Sequence, residues 1–283
     1  MLKKILLWVP VLLLAVALSL GLYQFYRYLY PTEPPAEIPA ESSSVATDPV
    51  VTTLPPISET KLTASDFAME NGFMTCTAMP SRLGVDVSTF QGEIDWQKVK
   101  EAGVTFAIIR VGGRGYGEAG TLYADKRAQD NYKGAKEAGI EVGAYFFSQA
   151  ISEKEAVEEA EYVLEQIKDW EITMPIVFDW EYIGEQARTA YVEPQMLTDC
   201  MNAFSTRIRQ AGLEAMIYVN MDQAADSFYM EEVEDTALWL AMYDGWKENP
   251  HKVDLWQYTN EGKIPGISGN VDINLQLLHD EIA

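Results

Sequence analysis

The stretch IVFDWEYIG, from Ile176 to Gly184, sets an apolar run of β-formers in front of two acids separated by one tryptophan. On a strand, alternate side chains point to opposite faces, so residues two apart share a side. Asp179 and Glu181 then lie on one face, about 6–7 Å apart along the chain, with Trp180 on the other. Carboxylates this close repel, and one of them tends to keep its proton. That is costly in a structural element and useful in an acid catalyst. Taken alone, the stretch is better read as the end of a strand with both acids in water.

Working outward, the same kind of apolar run recurs with helical segments between. LGVDVSTF (83–90), TFAIIRVG (105–112), EVGAYFFS (141–148), MPIVFDWE (174–181) and EAMIYVN (214–220) read as strands. Helical spacing fills 94–103, 127–139, 152–170 and 193–211. Ser152 and Glu155 match a capping box. Gly103, Gly139 and Gly212 stop helices just before the next strand. Near-continuous apolar strands alternating with helices indicate parallel strands buried on both faces. After Asn220 the rhythm changes: ALWLAMYD, VDLWQYT and VDINLQ look like strands, with little helix between the last two. The fold class expected is α/β, an irregular TIM-like barrel with a strand-rich C-terminal end.

Such barrels carry their chemistry at the C-terminal ends of the strands. Asp86 stands in the first strand, Asp179 and Glu181 in the fourth, and Asp272 in the last. Charge embedded in apolar strands is expensive, and three strands bearing it are harder to dismiss than one pair. Aromatic residues accompany them. Tyr145, Tyr218, Tyr243, Trp256 and Tyr258 are candidate platforms for sugar faces, with core packing as the competing role for about half of such aromatics.

The net charge of −22 argues against a nucleic-acid binder, which needs a basic face. Two histidines and no HExxH motif leave little to build a zinc site from. No metal or cofactor is implied. Cys76 and Cys200 are too few for a disulfide framework, and Cys200 lies inside an expected helix. Ile5 to Leu22 is an uncharged run of about 27 Å as a helix, preceded by Lys3 and Lys4 and followed by the aromatic YQFYRYLY. Residues 1–30 read as a cytoplasmic tip and single-pass membrane anchor, a cleaved signal peptide being the alternative. Residues 31–80 read as a Pro/Ser/Thr-rich, disordered stalk and linker, in which SDFAMENGF is either more linker or a short helix against the domain. Residues 81–283 are the expected barrel.

The pieces GVDVSTFQGEIDWQKVKEAGVTFAIIRV, GAYFFS, PIVFDWE, IYVN, LWLAMY, DLWQYT and ISGNVDINL, in this order, resemble the glycoside hydrolase family 25 lysozymes, also called Chalaropsis-type muramidases. The resemblance covers about 83–277. It implies a barrel of five βα units and three further strands. It also implies hydrolysis of the β-1,4 bond between N-acetylmuramic acid and N-acetylglucosamine in peptidoglycan, whose glycan strands would be the partner. The family's acidic quartet falls on Asp86, Asp179, Glu181 and Asp272, with Glu181 as general acid and Asp272 or Asp86 as its partner carboxylate. Direct displacement and assistance by the substrate's acetamido group both stay open. The glycine-rich Arg110–Tyr132 segment departs from the family pattern. Its GYGEAG spells a dinucleotide-type fingerprint, but no helix opens on it, so it reads as a loop of the substrate groove. The rivals are a peptidoglycan-binding barrel without activity and a related glycosidase acting on chitin-like glycans. Neither a histidine cluster nor a G-x-S-x-G elbow supports an amidase or peptidase.

Overall fold

The computed structural model describes residues 62–233 and 236–279, all within the unit Thr52–Ala283. The expected anchor and most of the expected stalk lie outside the described residues. Among the described residues no helix is long and apolar enough to cross a membrane.

A single 3-10 turn (Ala64–Asp66) leads into a hairpin, β1 (Phe67–Glu70) against β2 (Phe73–Cys76), where a linker was expected. This corrects the reading of 31–80 as stalk and linker throughout, and that of SDFAMENGF as linker or helix. Asn71 and Gly72 both adopt left-handed backbone, with φ of 52° and 87°. That is the demand of a tight two-residue hairpin turn, which Asn-Gly meets at little cost. The hairpin is packed on the barrel. The Phe67 ring lies 4.6 Å from Trp246 and 4.8 Å from Trp256, and the Trp246 indole N–H donates to the Leu62 carbonyl at 3.0 Å.

Five βα units follow. They are β3 (Ser81–Val87) with α1 (Trp96–Glu101), β4 (Phe106–Arg114) with α2 (Ala128–Glu137), β6 (Glu141–Ser148) with α3 (Glu153–Ile167), β7 (Ile176–Trp180) with α4 (Pro194–Gln210), and β8 (Ala215–Asn220) with α5 (Met221–Asp226). A short β5 (Leu122–Ala124) folds back antiparallel on β4. Three strands without helices between them complete the barrel: β9 (Ala237–Ala241), β10 (Leu255–Gly262) and β11 (Val271–Leu277). Strands β3, β4, β6, β7, β8, β9 and β10 run parallel around the barrel. β11 closes it, antiparallel to both β10 and β3.

The apolar strand runs follow from this closure, because each strand is covered on both faces. In β7, Val177 joins Phe106, Ile108, Met216, Trp239 and Leu255 inside the barrel, while Ile176, Phe178 and Trp180 face the helices. Phe178 meets Phe204 of α4 at 5.4 Å. Each such side chain contributes about 1.5–3 kcal/mol by burial. Gly84 has a packing reason of its own, since a Cβ there would stand 2.1 Å from the Phe106 ring that fills the barrel interior. Ser152 Oγ does cap α3, accepting the Glu155 N–H at 3.4 Å. The Glu155 carboxylate turns instead to the Ile151 N–H and to Arg188.

Candidate active site

The barrel geometry brings the four acids to one end. Asp86 is next to last in β3, Asp179 next to last in β7, and Glu181 stands just beyond that strand. Asp272 reaches the same end by another route. β11 runs antiparallel, so its beginning, not its end, lies beside the C-terminal end of β3, and Asp272 is directly paired with Asp86. Like charges opposed across a ladder destabilise it. All four line one open groove of about 580 Å³.

The electrostatics follow from crowding and burial. Asp86 and Asp179 are each 6% exposed, whereas Glu181 and Asp272 are half-buried. Burial pushes the Asp86 carboxyl well above the usual range, and Asp272 across the ladder adds to it. Burial first, then Glu181 and Asp86, raise Asp179 likewise. Glu181 is raised by burial and by Asp272, and Asp272 is raised by burial. The cluster therefore holds protons that isolated carboxylates would release. It can present a protonated carboxyl and a carboxylate to one bond, the pair that acid-assisted glycoside cleavage needs.

A hydrogen-bond network orders the floor of the groove. Asp86 Oδ2 accepts from Asn274 Nδ2 and from Gln257 Nε2, each at 2.8 Å. Both amides are oriented from behind. The Trp239 indole N–H donates to Asn274 Oδ1 at 2.8 Å, and the Tyr218 and Tyr243 hydroxyls donate to Gln257 Oε1 at 3.1 and 2.7 Å. Asp179 Oδ1 is buried and has no hydrogen-bond partner among the described residues. Arg110 supplies positive charge beside Asp179. Its Nε and Nη2 both lie 2.8 Å from Asp125 Oδ2, and the exposed Phe90 ring covers it at 4.9 Å.

Three of the five expected aromatic platforms line the groove: Tyr145, Tyr218 and Tyr243. Trp256 and Tyr258 do not, and their assignment is corrected. On β10 it is Gln257 that points inward, so strand alternation sends its neighbours outward. Trp256 is fully buried against Phe67 and Trp246, its N–H given to the Met242 carbonyl, and Tyr258 Oη accepts from the Met74 N–H of the hairpin. Trp256→Ala is accordingly expected to cost about 3–5 kcal/mol of stability. Denaturant unfolding checks this, and a loss under 1 kcal/mol would return the tryptophan to a surface role.

Arg110, Gln257, Asn274 and Phe90 were not among the expected site residues. For Asn274 a signal was present, because it stands two residues after Asp272 and so shares its face of the strand. The GYGEAG loop opens no helix: β4 ends at Arg114 and β5 follows, with Gly115 and Tyr116 on the groove. Cys76 and Cys200 are both free. Burial pushes the Cys200 thiol up to about 12, which leaves it inert as a nucleophile.

The chain is 27% identical over 192 residues to an autolytic lysozyme of Clostridium acetobutylicum, covering 68% of this chain and 54% of that one. It is 28% identical over 204 residues to lysozyme M1 of Streptomyces globisporus, covering 68% and 66%. It thus spans between about half and two thirds of these relatives' length. The crystal structure of a bacterial lysozyme from Streptomyces coelicolor superposes with a TM-score of 0.52 at 26% identity, over 68% of this chain and 90% of that one. Residues 85–267 match the family model for glycosyl hydrolases family 25, and the chain belongs to that family.

Proposed function

We propose that the chain is a muramidase, cleaving the β-1,4 bond between N-acetylmuramic acid and N-acetylglucosamine in peptidoglycan. The observation that carries the reading is the meeting of four carboxylates in one open groove, with Glu181 half-buried on its wall and raised above its ordinary value. The relatives that bear the name lysozyme support the substrate class.

In this reading Glu181 protonates the leaving oxygen. Asp272 is the partner carboxylate: it is more exposed than Asp86 and is the charge that raises Glu181. Asp86, tied to two amides, orders the floor. Asp179, buried and raised by its burial and by Glu181, is a carboxyl held beside the acid. The hydrophobic run Ile5–Leu22 supports a further part of the proposal, that the barrel is held at the outer face of a membrane by its N-terminus.

The test is reducing-end release from purified peptidoglycan across pH. Glu181 must be protonated to act. Its value is raised, so activity falls as pH climbs through a point above 4.5, the ordinary glutamate value. An alkaline limb of kcat/KM at or below 4.5 would count against Glu181 as the acid. No release at any pH, with the protein still bound to the wall, would make it a binding module.

A further inference from the structure

The ladder that carries Asp179 stops short of Glu181. β7 pairs with β6 as far as Trp180 and with β8 as far as Asp179. Beyond that, two glutamine side chains take over from the strands. Gln223, in the first turn after β8, donates its Nε2 to the Trp180 carbonyl at 2.7 Å. Gln149, the residue after β6, donates its Nε2 to the Glu181 carbonyl at 3.1 Å. Both are buried, at 4% and 0% exposure. The end of the acid-bearing strand is thus held from each neighbouring strand by an amide.

The Gln149 tie is the better built. Its second amide hydrogen goes to the Ser148 carbonyl at 2.8 Å, and its Oε1 accepts the Thr189 hydroxyl at 2.8 Å. With the hydroxyl on Oε1, the nitrogen is the atom that faces Glu181. The backbone of Gln149 is anchored as well. Its N–H donates to Glu159 Oε1 at 3.4 Å, and its carbonyl accepts from Arg188 Nη1 at 3.2 Å. Past Glu181 the chain leaves the barrel through the exposed Tyr182 and Ile183 and a left-handed Gly184 with φ of 121°. The Gln149 bond is therefore the last side-chain tie before a loop.

We propose that Gln149, oriented by Thr189, is a positioning residue that fixes the backbone of Glu181 and so aims its carboxyl at the glycosidic oxygen. The inference rests on the muramidase reading. A shift of the order of an ångström at a proton donor costs up to about a hundredfold in rate without weakening substrate binding. A glutamine kept only to satisfy a buried carbonyl would affect stability instead.

The experiment uses the full chain with purified peptidoglycan and compares wild type, Gln149→Met, Thr189→Val and Glu181→Gln. Gln149→Met keeps the side-chain length and removes the donor. Its kcat is expected to fall about 10- to 100-fold, with KM little changed and the alkaline limb of the pH profile displaced. Thr189→Val removes only the orienting bond. It is expected to give a smaller loss in the same direction, and it carries the test should Gln149→Met not fold. Wild-type kcat and pH limb in both variants, whatever their melting temperatures, overturn the proposal while leaving Glu181 as the acid. Near-normal turnover by Glu181→Gln overturns the proposal together with the reading beneath it.

Discussion

Glu181→Gln is expected to lower peptidoglycan turnover by about 10²- to 10⁴-fold, the range a positioned general acid supplies. The substitution keeps the shape of the side chain and removes only the transferable proton. Glu181 carries no side-chain hydrogen bond to the described residues, and its carboxyl is raised by burial and by Asp272. Replacing it with a neutral amide therefore relieves a repulsion. The melting temperature should hold or rise while activity collapses, and that separation distinguishes a chemical role from a structural one. Thermal unfolding and a turnover assay on the same preparation check both halves. A variant that stays active, or one that loses activity only because it unfolds, contradicts the assignment.

Arg114→Met is expected to be strongly destabilising, by about 3–5 kcal/mol at pH 8, because it strips a buried charge of its partner. Arg114 donates Nε to Glu159 at 2.7 Å, Nη2 to Glu158 at 2.8 Å, and Nη1 to the Gly120 carbonyl at 2.9 Å. Glu159 has no exposed surface, and its other oxygen accepts from the Ser148 hydroxyl at 2.6 Å. Burial still pushes Glu159 up to about 7, from 4.5. The folded state thus keeps a proton that the unfolded chain releases, so wild-type stability from this group is full below pH 4.5 and declines as pH rises toward 7. Without Arg114 the folded value moves higher still and the decline continues past pH 7. At pH 5 Glu159 is protonated in either protein, and the difference narrows. Denaturant unfolding at the two pH values tests this. An equal loss at both would mean that Arg114 serves by packing rather than by charge.

Much of the barrel was legible because its signals are local. The strand runs alternate with helices, and the glycine stops at Gly103, Gly139 and Gly212 fall where the structure turns left-handed. The acid of IVFDWE points into the groove as the two-residue period requires. What escaped the sequence depends on contacts far along the chain. The choice between Trp256 and Gln257 for the inward position rests on β10's register between β9 and β11. Asn274 and Gln257 serve Asp86 from 188 and 171 residues away. Arg110 reads as any arginine in an apolar strand until Asp125 and Phe90 are folded around it. The hairpin at 67–76 carries its own local signal. The Asn71–Gly72 turn is a strong hairpin signal, and the proline-rich composition before it, which favours a linker, competes with that signal.

The activity is defined by the bond that is cut, and the chemistry of the new ends identifies it. Purified peptidoglycan is incubated with the full chain and with Glu181→Gln, and the released fragments are reduced and examined by mass spectrometry. N-acetylmuramic acid is expected at the new reducing ends, absent with the variant. N-acetylglucosamine at those ends would contradict it, showing a cut on the other side of the repeat.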